Sequence, residues 1–82
     1  MKRSEVMWSQ TAPRQDPPAV SATLIDKDGL EWDATITHEP YGALKRITAT
    51  LFCRTGAKMH ASSAHQSITE AQEWCYKILG VE

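Results

Sequence analysis

The sequence predicts an α+β fold in which a three- to four-stranded antiparallel sheet packs against one C-terminal helix. Apolar residues recur with a period of two along successive segments, and the last segment changes to helical spacing. Because the strands come before the helix, an antiparallel layer is favoured over a parallel βαβ unit. We expect residues 19–82 to form this domain, and residues 1–18 to precede it as a flexible, proline-containing tail.

The first two strands are predicted from the alternation of apolar and polar residues between positions 20 and 37. A three-residue turn ending at Gly29, with this glycine in the left-handed region, pairs Leu24 with Trp32. In this register the apolar residues of both strands lie on one face, whereas a slip of one residue would place Leu24 opposite Asp33. Burial therefore determines the register of the first hairpin.

A third strand is predicted over 44–54, after a turn containing Pro40 and Gly42. A four-residue loop pairs Ile36 with Ile47 and again matches the apolar faces. A short fourth strand is predicted over 58–62, and it directs two apolar residues inward: Met59 and Ala61.

The helix is predicted over 68–79. Ser67 followed three residues later by Glu70 is the pattern of a capping box, and Gly80 is typical of a left-handed helix end. An apolar stripe at helical spacing indicates the face that packs on the sheet, and it consists of Ile68, Ala71, Trp74, Cys75, Ile78 and Leu79.

The tail is predicted to be flexible because residues 1–18 hold three of the four prolines among polar and charged residues. Such a composition buries too little apolar surface to offset chain entropy. The exception is the run of Val6, Met7 and Trp8. This run docks on the domain, adds to a sheet edge or anchors a partner, and Trp8 is therefore a candidate partner-binding residue.

Charge and length restrict the class of protein. The net charge of −1 and the isoelectric point near 6.3 lack the basic character that nucleic-acid modules use to displace counterions. No apolar run has the length of a signal-peptide core or a membrane span, so we expect a cytoplasmic protein with no membrane partner and reduced cysteines. A chain of 82 residues has a thin core, and a homodimer is a further expectation.

No residue pattern predicts catalysis or a cofactor. The turn at 26–29 begins like a calcium loop but lacks the glycine at the sixth position and the glutamate at the twelfth. Five residues are candidate zinc ligands by type, but their spacing fits no CxxC or HxxxH pattern: His38, Cys53, His60, His65 and Cys75. Both cysteines fall on predicted core faces, which argues against a reactive thiolate. We therefore expect a protein that is not an enzyme and has no cofactor.

Charged residues are unevenly distributed over the predicted sheet. Acidic residues gather on the first two strands, whereas Lys45, Arg46, Arg54 and Lys58 lie on the later ones. This distribution has two interpretations, cross-strand charge compensation on a solvated face or a polar recognition surface with Phe52 as its anchor. The candidate partner-binding residues are Glu31, Asp33, Arg46, Phe52, Arg54 and Lys58, together with Trp8.

The run from Ser67 to Trp74, placed after three strands, resembles the arm-binding domain of tyrosine recombinases. That resemblance implies a sheet that reads DNA with Lys45, Arg46, Arg54 and Lys58. In size and layout the chain also resembles small phage-encoded inhibitors, including anti-CRISPR proteins, in which a helix lies on a small sheet. That second resemblance implies a non-enzymatic protein-binding module, in its specific form a phage or mobile-element inhibitor of a host complex such as CRISPR machinery. DNA binding is the alternative, because residues 19–82 hold six Lys and Arg against eight Asp and Glu.

Overall fold

A computed structural model describes residues 1–12, 19–39, 46–56 and 58–82. A short 3-10 helix, Arg3–Glu5, precedes five strands and one helix: β1 Ser9–Ala12, β2 Ala19–Ile25, β3 Glu31–Glu39, β4 Arg46–Cys53, β5 Met59–His65 and α1 Ile68–Leu79. Several sequence predictions concern residues outside the described ranges, namely those for 13–18, for the turn at 40–43 and for Lys45.

The strands form one antiparallel sheet in the order β1-β2-β3-β4-β5, and α1 packs on the inner face of β3, β4 and β5. The predicted α+β fold is confirmed, although the sheet has five strands rather than three or four. Leu24 pairs with Trp32 and Gly29 has a φ of 82°, so the predicted register and the glycine at the turn are both confirmed.

The predicted register between β3 and β4 is wrong by two residues. Ile36 lies opposite Ala49, and Ile47 lies opposite His38. A shift of two residues keeps every side chain on its original face, so matching of apolar faces does not distinguish these registers.

The orientation predicted for the strand at 58–62 is also wrong. In the structure this segment is β5, which is longer than predicted, and Met59 and Ala61 lie opposite Phe52 and Thr50 on the outer face. His60 lies opposite Leu51 on the inner face, where its ring stacks on Trp32 at a centroid distance of 5.4 Å. With only two apolar residues in the predicted segment, the sequence pattern was too weak to orient it.

The N-terminal segment belongs to the domain, so the predicted flexible tail is wrong for residues 1–12. β1 extends the sheet beside β2, with Ser9 opposite Ser21. Trp8 is partly buried against the core, and its Nε1 donates to the Tyr76 hydroxyl oxygen at 2.8 Å. Of the three alternatives for this run, two occur together, since Trp8 docks on the domain and the residues after it add a strand.

The helix has the predicted bounds. Its first turn is capped because the Ser67 Oγ accepts a hydrogen bond from the Glu70 N–H at 3.0 Å. In a capping box the Glu70 carboxylate would accept a hydrogen bond from the N–H of Ser67. Here it accepts from the N–H of the preceding residue, Gln66, at 2.8 Å. Gly80 ends the helix with a φ of 70°.

The core lies between α1 and the inner face of the sheet. Its largest fully buried side chains are Leu24, Ile36, Leu51, Cys53 and Cys75. We call the opposite face of the sheet the outer face.

Candidate functional site

The outer face carries the residues that alternate with the core positions of the strands. None of the described helices packs on it, since α1 contacts the sheet from the inner side. Its outward residues on the three central strands and just after β4 are mostly polar, with Ile25 and Phe52 as exposed apolar exceptions: Ser21, Thr23, Ile25, Glu31, Asp33, Thr35, Thr37, Arg46, Thr48, Thr50, Phe52 and Arg54. A flat, hydroxyl-rich surface results, with charges at its ends.

Arg54 is the centre of a polar cluster at one end of the outer face. Its Nε donates to both carboxylate oxygens of Asp33 at 3.0 Å, and its Nη2 donates to Asp33 Oδ1 at 2.8 Å. Its Nη1 donates to Glu31 Oε2 at 3.0 Å, and Nη2 also reaches the Thr23 hydroxyl at 3.3 Å. The guanidinium is thus held in a fixed orientation by residues of two neighbouring strands.

The cluster changes the protonation of Asp33. Hydrogen bonds from Arg54 favour the carboxylate, and they lower the pKa of Asp33 below its ordinary value of 3.8, while raising the pKa of Arg54. A separate group of hydrogen bonds, led by the Trp32 indole N–H at 2.8 Å, lowers the pKa of Asp26 in the β2-β3 turn. Both carboxylates therefore stabilise the folded state only when ionised.

We expect this dependence on ionisation to appear as acid sensitivity. A carboxyl whose pKa is lowered by folding contributes stability above its unfolded pKa of 3.8, and this contribution is lost as the pH falls through the folded pKa. The Asp33→Asn variant should therefore lose less thermal stability than the wild type between neutral pH and about pH 3. Thr48→Ala, which removes no titratable group from the same face, should retain the wild-type pH dependence. An Asp33→Asn profile as steep as that of the wild type would contradict the proposed linkage.

Phe52 and Met59 form an apolar corner next to this cluster. They are cross-strand partners, and Phe52 also lies opposite Asp33. Phe52 is 51% exposed and Met59 is 62% exposed. Singly exposed apolar residues are ordinary, but an aromatic ring beside a methionine at the end of an uncovered sheet is the kind of surface found in protein interfaces.

A shallow, open depression of about 460 Å³ lies on the other side of Arg54. Its lining comes from the first three strands, from Arg54 just after β4 and from Met7 before β1, and its polar residues are Ser9, Ser21, Thr23, Asp33, Thr35 and Arg54. Met7 is 83% exposed. Exposed methionines therefore lie on both sides of the polar cluster.

The structure brings together four of the seven predicted site residues, Glu31, Asp33, Phe52 and Arg54. Lys58 lies in the turn before β5, where its backbone carbonyl accepts from the Cys53 N–H at 3.0 Å. Arg46 lies opposite Glu39 at the far end of β4. Trp8 is on the inner side of the sheet, so the structure does not place it with the others.

Two residues of this face were missed in the sequence analysis, Met7 and Met59. The run from Val6 to Trp8 is apolar at all three positions, so it has no alternation from which an outward Met7 could be predicted. No signal was present for Met59 either, whose orientation depends on the length of the β4-β5 turn.

Four of the five candidate zinc ligands are accounted for by packing, whereas the buried Nε2 of His38 has no hydrogen-bond partner among the described residues. Both cysteines are buried, and burial raises the pKa of the Cys75 thiol to about 12. His60 stacks on Trp32, and His65 lies against the Trp74 ring with Nδ1 at 3.9 Å from Glu70. Within the described ranges, no three His, Cys, Asp or Glu side chains are grouped so that they could hold a metal ion.

Comparison with known proteins finds no match to a family model, to a curated protein or to a solved structure. Among the described residues, no helix has both the length and the apolar character needed to cross a membrane. The outer face is therefore the feature of the molecule that bears on its function.

Proposed function

We propose that this chain is a non-enzymatic protein-binding module that contacts its partner through the outer face, with Phe52 and Met59 at the centre of the contact. The observation that carries the proposal is the exposed pairing of these two residues on an uncovered sheet. Binding energy in protein interfaces concentrates in a few aromatic and other large side chains that become desolvated. Phe52 and Met59 have this character.

The Arg54 cluster complements the apolar corner. All the nitrogens of its guanidinium donate to Asp33, Glu31 or Thr23, so its geometry is set before a partner arrives. A pre-organised polar group loses little conformational entropy on binding and selects partners by charge and shape. The two carboxylates outnumber the single guanidinium, which favours a partner that presents a donor or a basic residue at this point.

DNA binding receives less support from the geometry. Arg54 is already engaged by two carboxylates, and contact with a phosphate would require breaking these ion pairs. Protein surfaces that bind nucleic acids usually present unpaired Lys and Arg side chains, which displace counterions from the phosphates. The acidic residues around Arg54 would also repel the phosphate backbone.

The narrower form of the proposal is that the partner belongs to a host complex that a phage or mobile-element factor inhibits. It rests on the resemblance in size and layout alone. The identity of a captured partner distinguishes this form from a housekeeping interaction.

The proposal is tested by capture of partners on immobilised protein with four baits: wild type, Phe52→Ala, Met59→Ala and the control Thr48→Ala. Thr48 lies on the same strand and face as Phe52 but away from the apolar corner. We expect one partner to be recovered by wild type and Thr48→Ala, and its affinity to fall at least about tenfold with Phe52→Ala, as loss of a hot spot predicts. Circular dichroism should show that all four baits are folded. A partner that binds Phe52→Ala and Met59→Ala as tightly as wild type would exclude this face.

A further inference from the structure

β5 forms one edge of the sheet. It has seven residues, pairs with β4 on one side, and has no strand on its other side among the residues that the structure describes. Natural edge strands are usually protected by proline, by lysine or other charges, or by being very short. The sequence of β5, Met-His-Ala-Ser-Ser-Ala-His, contains no proline and no Asp, Glu, Lys or Arg.

The opposite edge of the sheet is shorter than β5. β1 has only four residues, and its pairing with β2 is irregular between Gln10 and Ala12. Irregular pairing disrupts a ladder and discourages a further strand. β5 is also irregular, between Ser62 and His65, but four regularly paired residues precede that position, Met59 to Ser62. Of the two edges, β5 is the one suited to strand addition.

The hydrogen-bonding phase of β5 identifies the groups at the open edge. The Cys53 N–H donates to the Lys58 carbonyl, so the position before Met59 is a hydrogen-bonded position of the β4-β5 ladder. Such positions alternate along antiparallel strands. The N–H and C=O groups of Met59 and Ala61 therefore point away from β4, toward the open edge.

We propose that a second copy of this chain pairs with β5 through its own β5, in an antiparallel arrangement with a two-fold axis at Ala61, which joins two five-stranded sheets. Two features favour a second copy over a foreign strand. An uncharged edge can face itself without repulsion between like charges, and a two-fold pairing satisfies both open edges with the same set of bonds. Pairing centred on Ala61 also keeps the outer faces of the two copies on the same side, since the paired residues differ by an even number.

The proposed dimer extends beyond the function proposed above because it concerns contact between two copies rather than with another protein. In it, residues 59–63 pair, and all of them except residue 63 precede the irregularity that lies between Ser62 and His65 of the β4-β5 ladder. The two Met59 residues would then lie about 14 Å apart on one continuous face, from four residues of strand rise and one strand spacing. Two apolar corners on one surface would allow a partner to be bound bivalently.

Cross-linking by engineered cysteines tests the pairing directly. Ala61→Cys would place two thiols opposite each other at the two-fold axis, at a Cα separation of about 5.5 Å, which a disulfide can bridge. Ser9→Cys on β1 and Thr35→Cys at the centre of the outer face are matched controls. The native cysteines are buried and should give little background. After mild oxidation with copper-phenanthroline, we expect a covalent dimer only with Ala61→Cys.

A charge at the same position provides a second test. Ala61 is exposed on the outer face, so Ala61→Glu should fold, yet in the dimer it would place two carboxylates opposite each other. We expect light scattering and sedimentation to show a wild-type dimer, an unchanged dimer for Ala61→Ser, and dimerisation at least about tenfold weaker for Ala61→Glu, partly restored by salt.

Three outcomes would overturn the proposal: a wild type that stays monomeric, cross-linking of Ser9→Cys or Thr35→Cys in place of Ala61→Cys, or an Ala61→Glu variant that dimerises like the wild type. Since these measurements use the purified chain alone, their result is independent of whether Phe52 and Met59 bind another protein.

Discussion

Replacing Leu51 with alanine is expected to destabilise the domain by about 3 kcal/mol, within the range seen for large-to-small changes in packed cores. Leu51 is fully buried on β4, where it lies between Ala34 and His60 of the neighbouring strands. A single core of this size seldom supplies more than about 3–5 kcal/mol, so the loss would remove most of the stability. Urea unfolding followed by tryptophan fluorescence would measure the change.

The next residue along the chain supplies the matched control. Phe52 is larger than Leu51 but points to the outer face, and its Ala variant should change the free energy of unfolding by less than about 1 kcal/mol. Leu51→Ala should therefore affect stability, and Phe52→Ala should affect partner binding. Equal destabilisation by both variants would show that Phe52 is covered in solution and would contradict the exposure on which the proposed interface depends.

Replacing Trp8 with alanine is expected to release the N-terminal segment and destabilise the domain by about 2 kcal/mol, less than for a fully buried aromatic residue because Trp8 is only partly buried. The change removes the packing of the indole on the core and its hydrogen bond to Tyr76. Hydrogen exchange should show faster exchange of the β1 amides, since β1 is held by β2 on one side only.

Two further variants separate the causes. Trp8→Phe keeps most of the packing and removes the hydrogen bond, so it should cost about 1 kcal/mol. Met7→Ala lies on the exposed side of the same segment and should leave both stability and exchange unchanged. If Trp8→Ala left the exchange of β1 unaltered, β1 would be held by its backbone pairing with β2, and the docking of Trp8 would be incidental.

The parts of the fold that were predicted correctly are those in which local and burial signals agree. The bounds of α1 follow from a cap at Ser67, an apolar stripe and a terminating Gly80, all encoded within 14 residues. The β2-β3 register follows from two apolar faces joined by a short turn, because a slip of one residue would expose both faces.

The errors arise where the pattern allows two solutions. Pairing Ile36 with Ala49 or with Ile47 buries the same residues, so the choice depends on the β3-β4 connection and on packing beneath α1. For β5, the structure turns His60 inward to stack on Trp32, an interaction between strands that are not neighbours in the sheet. The sequence of a single segment does not contain that information.

The candidate site was predicted in outline and changed in detail. Alternation alone placed Glu31, Asp33 and Phe52 on an outward face, and the structure confirms that placement. It also shows that Arg54 is paired with both acidic residues, so the charge-compensation interpretation holds for this cluster. The apolar corner of Phe52 and Met59 remains exposed beside these paired charges. The proposed function is therefore based on the apolar corner.

The sequence by itself determined the α+β class, the helix and the first hairpin, because each depends on residues close together in the chain and on a periodicity that only one fold satisfies. The tertiary structure decided that residues 9–12 add a strand, that Met59 joins Phe52 on the outer face, and that β5 is left as an open edge. These features depend on which distant segments meet, and the free energy that selects among them comes from packing across the sheet and beneath the helix.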